Sequence, residues 1–234
     1  MNDKLKKLYS EKWENLSINL NEILENPELK TKPTNPLLIS LENNNYENAD
    51  IKLIIFGQET NDWEKDFNGK IDSLLPVYKR FFNDGYALKT YGGQFWNGVK
   101  RFLELLQKKY PNKTIGIVWN NVIKIGCSGR NKNMPPQYIY KVERKHFDVI
   151  KDELNILKPN IILFMSGPNY DYVIEDNFGK FNSENIGTEF SKRQLSKLNI
   201  GFGENVFRTY HPTYLWRTKR LNEYYEKIIN EIKI

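Results

Sequence analysis

Cysteine and histidine are almost missing from this chain of 234 residues, which has one Cys, at position 127, and two His, at 146 and 211. A lone thiol excludes an internal disulfide, a zinc ribbon and a four-cysteine iron–sulfur cluster. Two imidazoles argue against a histidine-rich metal site. Neither a metal nor an organic cofactor is therefore expected. Long apolar runs are lacking too: none approaches the roughly 18 residues that a membrane-spanning helix needs. Residues 1 to 12 are charged throughout and lack the apolar stretch of a secretion signal. The expectation is a soluble, cytoplasmic protein with no membrane partner. Nucleotide-binding glycine motifs are also wanting. The stretch 126–136 (GCSGRNKNMPP) lacks the spacing of a Walker loop, and Gly57 lacks the companion glycines of a dinucleotide fingerprint. That disfavours an ATP or nicotinamide enzyme.

Aromatic residues, in contrast, make up 14% of the chain, and they argue for an ordered core rather than disorder. Lys and Arg number 35 against 29 Asp and Glu, so the formal charge is 35 − 29 = +6. Such an excess steers a protein toward polyanions, but a lysine-rich surface kept for solubility gives the same balance. No internal repeat is present.

Residues 4–25 carry Leu5, Leu8, Trp13, Leu16, Leu20 and Leu24 at helical spacing, and Pro27, Pro33 and Pro36 interrupt the chain beyond them. Residues 1–50 therefore read as a helix and an irregular arm packed on a main body, 51–234. Four apolar runs mark that body: 51–57 (IKLIIFG), 114–119 (TIGIVW), 160–165 (NIILFM) and 205–210 (NVFRTY). The first three are nearly continuous in β-branched and aromatic residues, as strands buried on both faces are. Helical patterns over 74–83, 95–110 and 140–157 lie between them, and a last one covers 218–232. Alternating strands and helices predict an α/β fold, a three-layer α/β/α sandwich around a mainly parallel four-stranded sheet. The polar stretch 178–203 fits a small helix or a hairpin and is left open.

In an open parallel sheet, ligands collect where the strands end. The residues just past the runs are Gly57-Gln58-Glu59-Thr60-Asn61, Asn120-Asn121, Ser166-Gly167-Pro168 and His211-Pro212-Thr213-Tyr214-Leu215. A carboxylate, a carboxamide and an imidazole would thus share one crevice, an arrangement typical of functional sites.

These residues, in this order, resemble the uracil-DNA glycosylase superfamily. Gly57-Gln58-Glu59-Thr60 stands where its best-known members have a water-activating G-Q-D-P-Y-H loop. Ile117-Val118-Trp119-Asn120 is similar to the strand that ends in a base-reading Asn. His211-Pro212-Thr213-Tyr214-Leu215 is similar to the late H-P-S-P-L loop, and Phe95-Trp96 to an aromatic-rich segment of two branches. The likeness spans about 52–232. Glu59 replaces Asp, Thr60 replaces Pro, Asn61 replaces Tyr and Tyr214 replaces the second Pro.

The resemblance implies hydrolysis of the N-glycosidic bond of uracil or another deaminated or damaged base in DNA. The catalytic pair would be Glu59, for water and the sugar cation, and His211, for the leaving base. Gln58, Asn120 and Tyr86 would bind the base. Leu215 would wedge into the base stack, with Trp216 a second candidate, and Arg217, Lys219 and Arg220 would meet phosphates. Arg208, Lys192, Arg193 and Lys197 would extend that patch, and Arg130 and Lys132 lie on a further basic loop.

Each residue also has a plainer reading. Glu59 fits a loop acid, His211 a buried turn histidine, Asn120-Asn121 a strand-ending turn, and Leu215 ordinary packing. Asn121 reads as structural and Trp96 as core. Two other functions remain open: a nucleic-acid-binding module without catalysis, and a hydrolase of free nucleosides or nucleotides. A monomer acting on single- or double-stranded DNA is the expectation.

Overall fold

The computed structural model describes residues 1–60, 62–128 and 134–234. Asn61 of the first strand-end segment, and Arg130 and Lys132 of the basic loop, lie outside them. The strands are β1 (Ile51–Glu59), β2 (Ile115–Ile123), β3 (Ile161–Phe164), β4 (Asn182–Asn185), β5 (Leu195–Asn199) and β6 (Val206–Thr209). They form one mixed sheet of six strands in the order β2-β1-β3-β6-β5-β4. The four expected runs are the parallel part, β2-β1-β3-β6. The expected count of four strands falls short because 178–203 supplies an antiparallel hairpin, β4 and β5, which adds to the free side of β6. Edge strand β4 reads Asn-Ser-Glu-Asn and is mostly exposed, a polar border that discourages pairing with another chain.

Residues 53–56 of β1 and all of β3 are fully buried, because helices cover both faces of the sheet. The helices are α1 (Asn2–Glu25), α2 (Ile71–Tyr78), α3 (Gly93–Lys109), α4 (Gln137–His146), α5 (Ile150–Leu157), α6 (Asp171–Phe178), α7 (Pro212–Arg217) and α8 (Leu221–Glu231). All but α2 fall into two contacting sets: α1 with α4 and α5, which meets α6, and α3 with α7 and α8. No helix among the described residues is long and apolar enough to cross a membrane.

The single helix expected over 140–157 is two. The chain leaves α4 at Phe147, whose φ of −137° is not helical, and the buried Phe147 ring packs against Tyr9 and Trp13 of α1. The break thus seats an aromatic ring in the interface with the N-terminal helix. Residues 33–37 of the arm are tied to the segment after β2, with Leu37 donating its N–H to Lys124 O and Thr34 to Gly126 O.

Candidate active site

The strand order turns outward in both directions from β1, so its carboxyl end faces the crevice where a doubly wound sheet collects ligands. Strand β1 continues two residues beyond the expected Gly57, so Gln58 and Glu59 are strand residues at the crevice. A hollow of about 740 Å³ lies there, and Gln58, Glu59, Asn121 and His211 all line it. The side chains therefore come from β1, β2 and the segment after β6.

Glu59 is half-buried, and its Oε2 accepts the Tyr170 hydroxyl at 2.5 Å. Burial pushes the Glu59 carboxyl up to about 7, although the Tyr170 hydrogen bond opposes the shift. Near neutral pH this group is divided between acid and carboxylate. Tyr170, in a short turn after β3, also has its own ionisation pushed up by burial and by Glu59, so it stays a donor. The sequence pattern did not single out Tyr170, because nothing in the spacing links it to Glu59, 111 residues away.

His211 starts α7. Its Nδ1 accepts the Thr213 backbone N–H at 3.2 Å, which leaves the proton of the neutral ring on Nε2. Burial holds its pKa down to about 4, so the imidazole is neutral at any ordinary pH. The Phe95 ring stacks on it, 5.4 Å between centroids and 22° from parallel.

The pair Asn120-Asn121 reverses the expected roles. Successive strand side chains point to opposite faces, so only one of the two can face the cavity. Asn121 does, on the same face as Trp119, which also lines it. Gly57 lies opposite Asn121 in the ladder, and a Cβ at 57 would stand 2.4 Å from Asn121 Oδ1 and 3.3 Å from the Phe95 ring. The missing side chain is what admits both neighbours.

Asn120, expected to read the base, points into the opposite layer. Its Nδ2 donates to Glu153 Oε2 at 2.8 Å, and its Oδ1 accepts Lys124 Nζ at 2.9 Å. Lys124 and Glu153 are fully buried and 2.6 Å apart, and the Tyr9 hydroxyl of α1 donates to the same carboxylate at 2.6 Å. Burial holds the Lys124 ammonium below its ordinary pKa, with Glu153 opposing that shift. This network fastens β2 to α1 and α5. It is a structural role.

Thr60 is structural as well. Its hydroxyl donates to Lys124 O at 3.2 Å and accepts the Gly126 N–H at 2.8 Å. Proline, the residue at this place in the superfamily that the sequence resembles, has no such hydroxyl.

Aromatic rings form much of the wall. Trp63, Phe81 and Trp96 surround Trp119 at centroid distances of 5.5, 5.6 and 5.0 Å, and all four line the hollow. Trp96, expected in the core, is buried and lines the cavity too. The indole N–H groups of Trp63 and Trp119 are buried without an acceptor among the described residues. Tyr86 is not in the lining. It is 47% exposed and packs against Phe81 and Tyr91, which are.

The surface residues divide. Leu215 is fully buried on the inner side of α7 and cannot wedge into DNA, whereas its neighbours Tyr214 and Trp216 are 38% and 40% exposed. Arg217 lines the hollow and lies over the Tyr214 ring. Lys219 is exposed. Arg220 is paired with Glu223 at 2.6 Å and lies over Phe190 and Tyr224. Arg208, expected at phosphates, is buried in β6 and bonds Asp171 at 2.9 and 3.0 Å and the carbonyls of Lys192 and Arg193. Among the described residues, no group of three or more His, Cys, Asp and Glu side chains could hold a metal ion.

No protein-family model matches the chain, and no curated protein matches it in sequence.

Proposed function

We propose that the protein is a DNA N-glycosylase of the uracil-DNA glycosylase type, hydrolysing the bond between a deaminated or damaged base and deoxyribose. The observation that carries this reading is that Glu59 and His211 line one aromatic-walled hollow at the strand ends. Their protonation suits the two halves of the reaction.

Breaking an N-glycosidic bond builds positive charge on the sugar and negative charge on the departing base, as in ordinary glycoside hydrolysis. In its carboxylate form Glu59 balances the sugar cation and takes a proton from the attacking water. The water oxygen bonds to C1′ as the base leaves with the electron pair of the C1′–N bond. Proton transfer of this kind contributes about 10²–10⁴-fold. Tyr170 holds one oxygen of the carboxylate, and the other has no partner among the described residues. His211, neutral with its proton on Nε2, is a donor for an oxygen of the base as charge develops there. A preorganised donor of that kind is worth about 3 kcal/mol. Asn121 takes over the base-reading role expected of Asn120, since its carboxamide offers donor and acceptor together. The aromatic wall supplies rings for an extruded base to stack on.

The test is release of free base from oligonucleotides containing uracil, hypoxanthine or xanthine, since a hollow of this size has room for purines as well as pyrimidines. Release that Glu59→Gln abolishes supports the proposal. No release from any substrate, single- or double-stranded, refutes it. Salt-dependent binding without release would then favour the non-catalytic module, and faster turnover of free nucleosides the small-molecule hydrolase.

A further inference from the structure

We infer that the hollow is the middle of a groove shaped for single-stranded DNA, with neighbouring bases stacked on Tyr214 and Trp216. The inference rests on the glycosylase reading for its choice of DNA.

Two smaller hollows flank the central one. The first, about 400 Å³, shares Gln58, His211 and Tyr214 with it. The second, about 480 Å³, shares Thr213 and Arg217. Residues 211–217 thus run past all three, and because the two smaller hollows share no lining residue, a chain passing from one to the other crosses the central hollow.

Each flank presents an exposed ring that lies against the protein. Tyr214, 38% exposed, leans on Tyr210 with 4.4 Å between centroids, and the Arg217 guanidinium lies 5.4 Å from its centre, where a bound strand would meet ring and cation together. Trp216 is anchored by its Nε1, which donates to Gln94 O at 3.2 Å. Rings held in this way offer a face to stack on and do not project as a spike. A spike is what opening a duplex calls for, because it fills the gap left by the extruded base. The residue in the wedge position, Leu215, is buried. A single strand needs no such plug.

Charge is divided accordingly. Arg193 lines the first flank, Arg217 lines the second and its border with the central hollow, and neither flank has a carboxylate among its lining residues. The acids Glu59, Asp62 and Glu64 are all in the central hollow. Phosphates therefore meet cations at the flanks, while the carboxylates face the base and sugar.

The experiment is fluorescence anisotropy with a labelled oligonucleotide lacking any releasable base, as a single strand and as its duplex, at one salt concentration. The single strand is expected to bind at least about tenfold more tightly than the duplex. Tyr214→Ala and Trp216→Ala should each weaken single-strand binding about tenfold, as loss of one stacked base predicts, with Tyr214→Phe retaining affinity. Arg217→Ala should lower the salt dependence. Thermal unfolding confirms that the variants are folded, and the part of the tryptophan quenching that Trp216→Ala removes reports stacking on that ring. Equal or tighter duplex binding overturns the inference, as does unchanged affinity in both ring variants. Uracil release is assayed in parallel. Release with a duplex preference sinks this inference alone, and a single-strand preference without release sinks the glycosylase reading alone.

Discussion

Removing the Tyr170 hydroxyl tests the proposal that the Glu59 carboxylate is the working group. Burial raises Glu59 to about 7 and the Tyr170 hydrogen bond pulls it down, so Tyr170→Phe should raise it further. A hydrogen bond to a charged group is worth about 1.5–3 kcal/mol, and water partly replaces the lost donor, so about one pKa unit is expected. If the carboxylate is the active form, its share at neutral pH falls from about one-half to about one-tenth with such a shift. Activity then drops about fivefold near pH 7, and the loss vanishes some two units higher. His211, held at about 4, stays neutral throughout and contributes no second limb in this range. The assay is single-turnover release of uracil from a single-stranded oligonucleotide across the neutral region. An unmoved or lowered midpoint, or a loss independent of pH, would refute the reasoning.

Other substitutions test other parts. If His211 is the donor proposed for the transition state, His211→Ala should lower kcat by about 10²–10³-fold with little change in KM. Glu59→Gln should abolish release yet stabilise the protein. A carboxyl raised from 4.5 to about 7 contributes stability below its unfolded pKa that is lost as pH rises through 7. The variant should therefore gain about 1–3 kcal/mol above pH 8 and nothing near pH 4, read by urea unfolding; no gain at high pH would count against the burial of that carboxyl. Lys124→Met should cost about 3–5 kcal/mol, because it strands the Glu153 carboxylate in the core, and a loss below about 1 kcal/mol would contradict that picture. Gly57→Ala should cost about 1–3 kcal/mol by overpacking and reduce release sharply, as the new methyl displaces Asn121.

Much of the architecture was written in local chemistry. The apolar runs at 51–57 and 160–165, interrupted only by Lys52 and the leading Asn160, leave no alternating polar face, so a strand covered on both sides is legible in the residues alone. The spacing of Leu5, Leu16 and Leu20 likewise specifies which stripe of α1 is buried, and all three are. Glu59 and His211 were legible as candidates because the carboxyl end of a parallel strand is a property of chain direction. The β4–β5 hairpin was not legible, since its residues are polar and owe their pairing to the free edge of β6. Nor was the choice between Asn120 and Asn121. Alternation says that two adjacent residues face opposite ways, but which way is set by the register of β2 against β1 and by what waits on each side. A buried lysine, glutamate and tyrosine claimed Asn120; a glycine in the neighbouring strand made room for Asn121. Packing turned Leu215 to the inner side of α7, which left the rings beside it exposed. Tyr170 reached Glu59 only once β1 and β3 were paired. Contacts between residues remote in the chain depend on how the elements stack, and no local pattern carries that information.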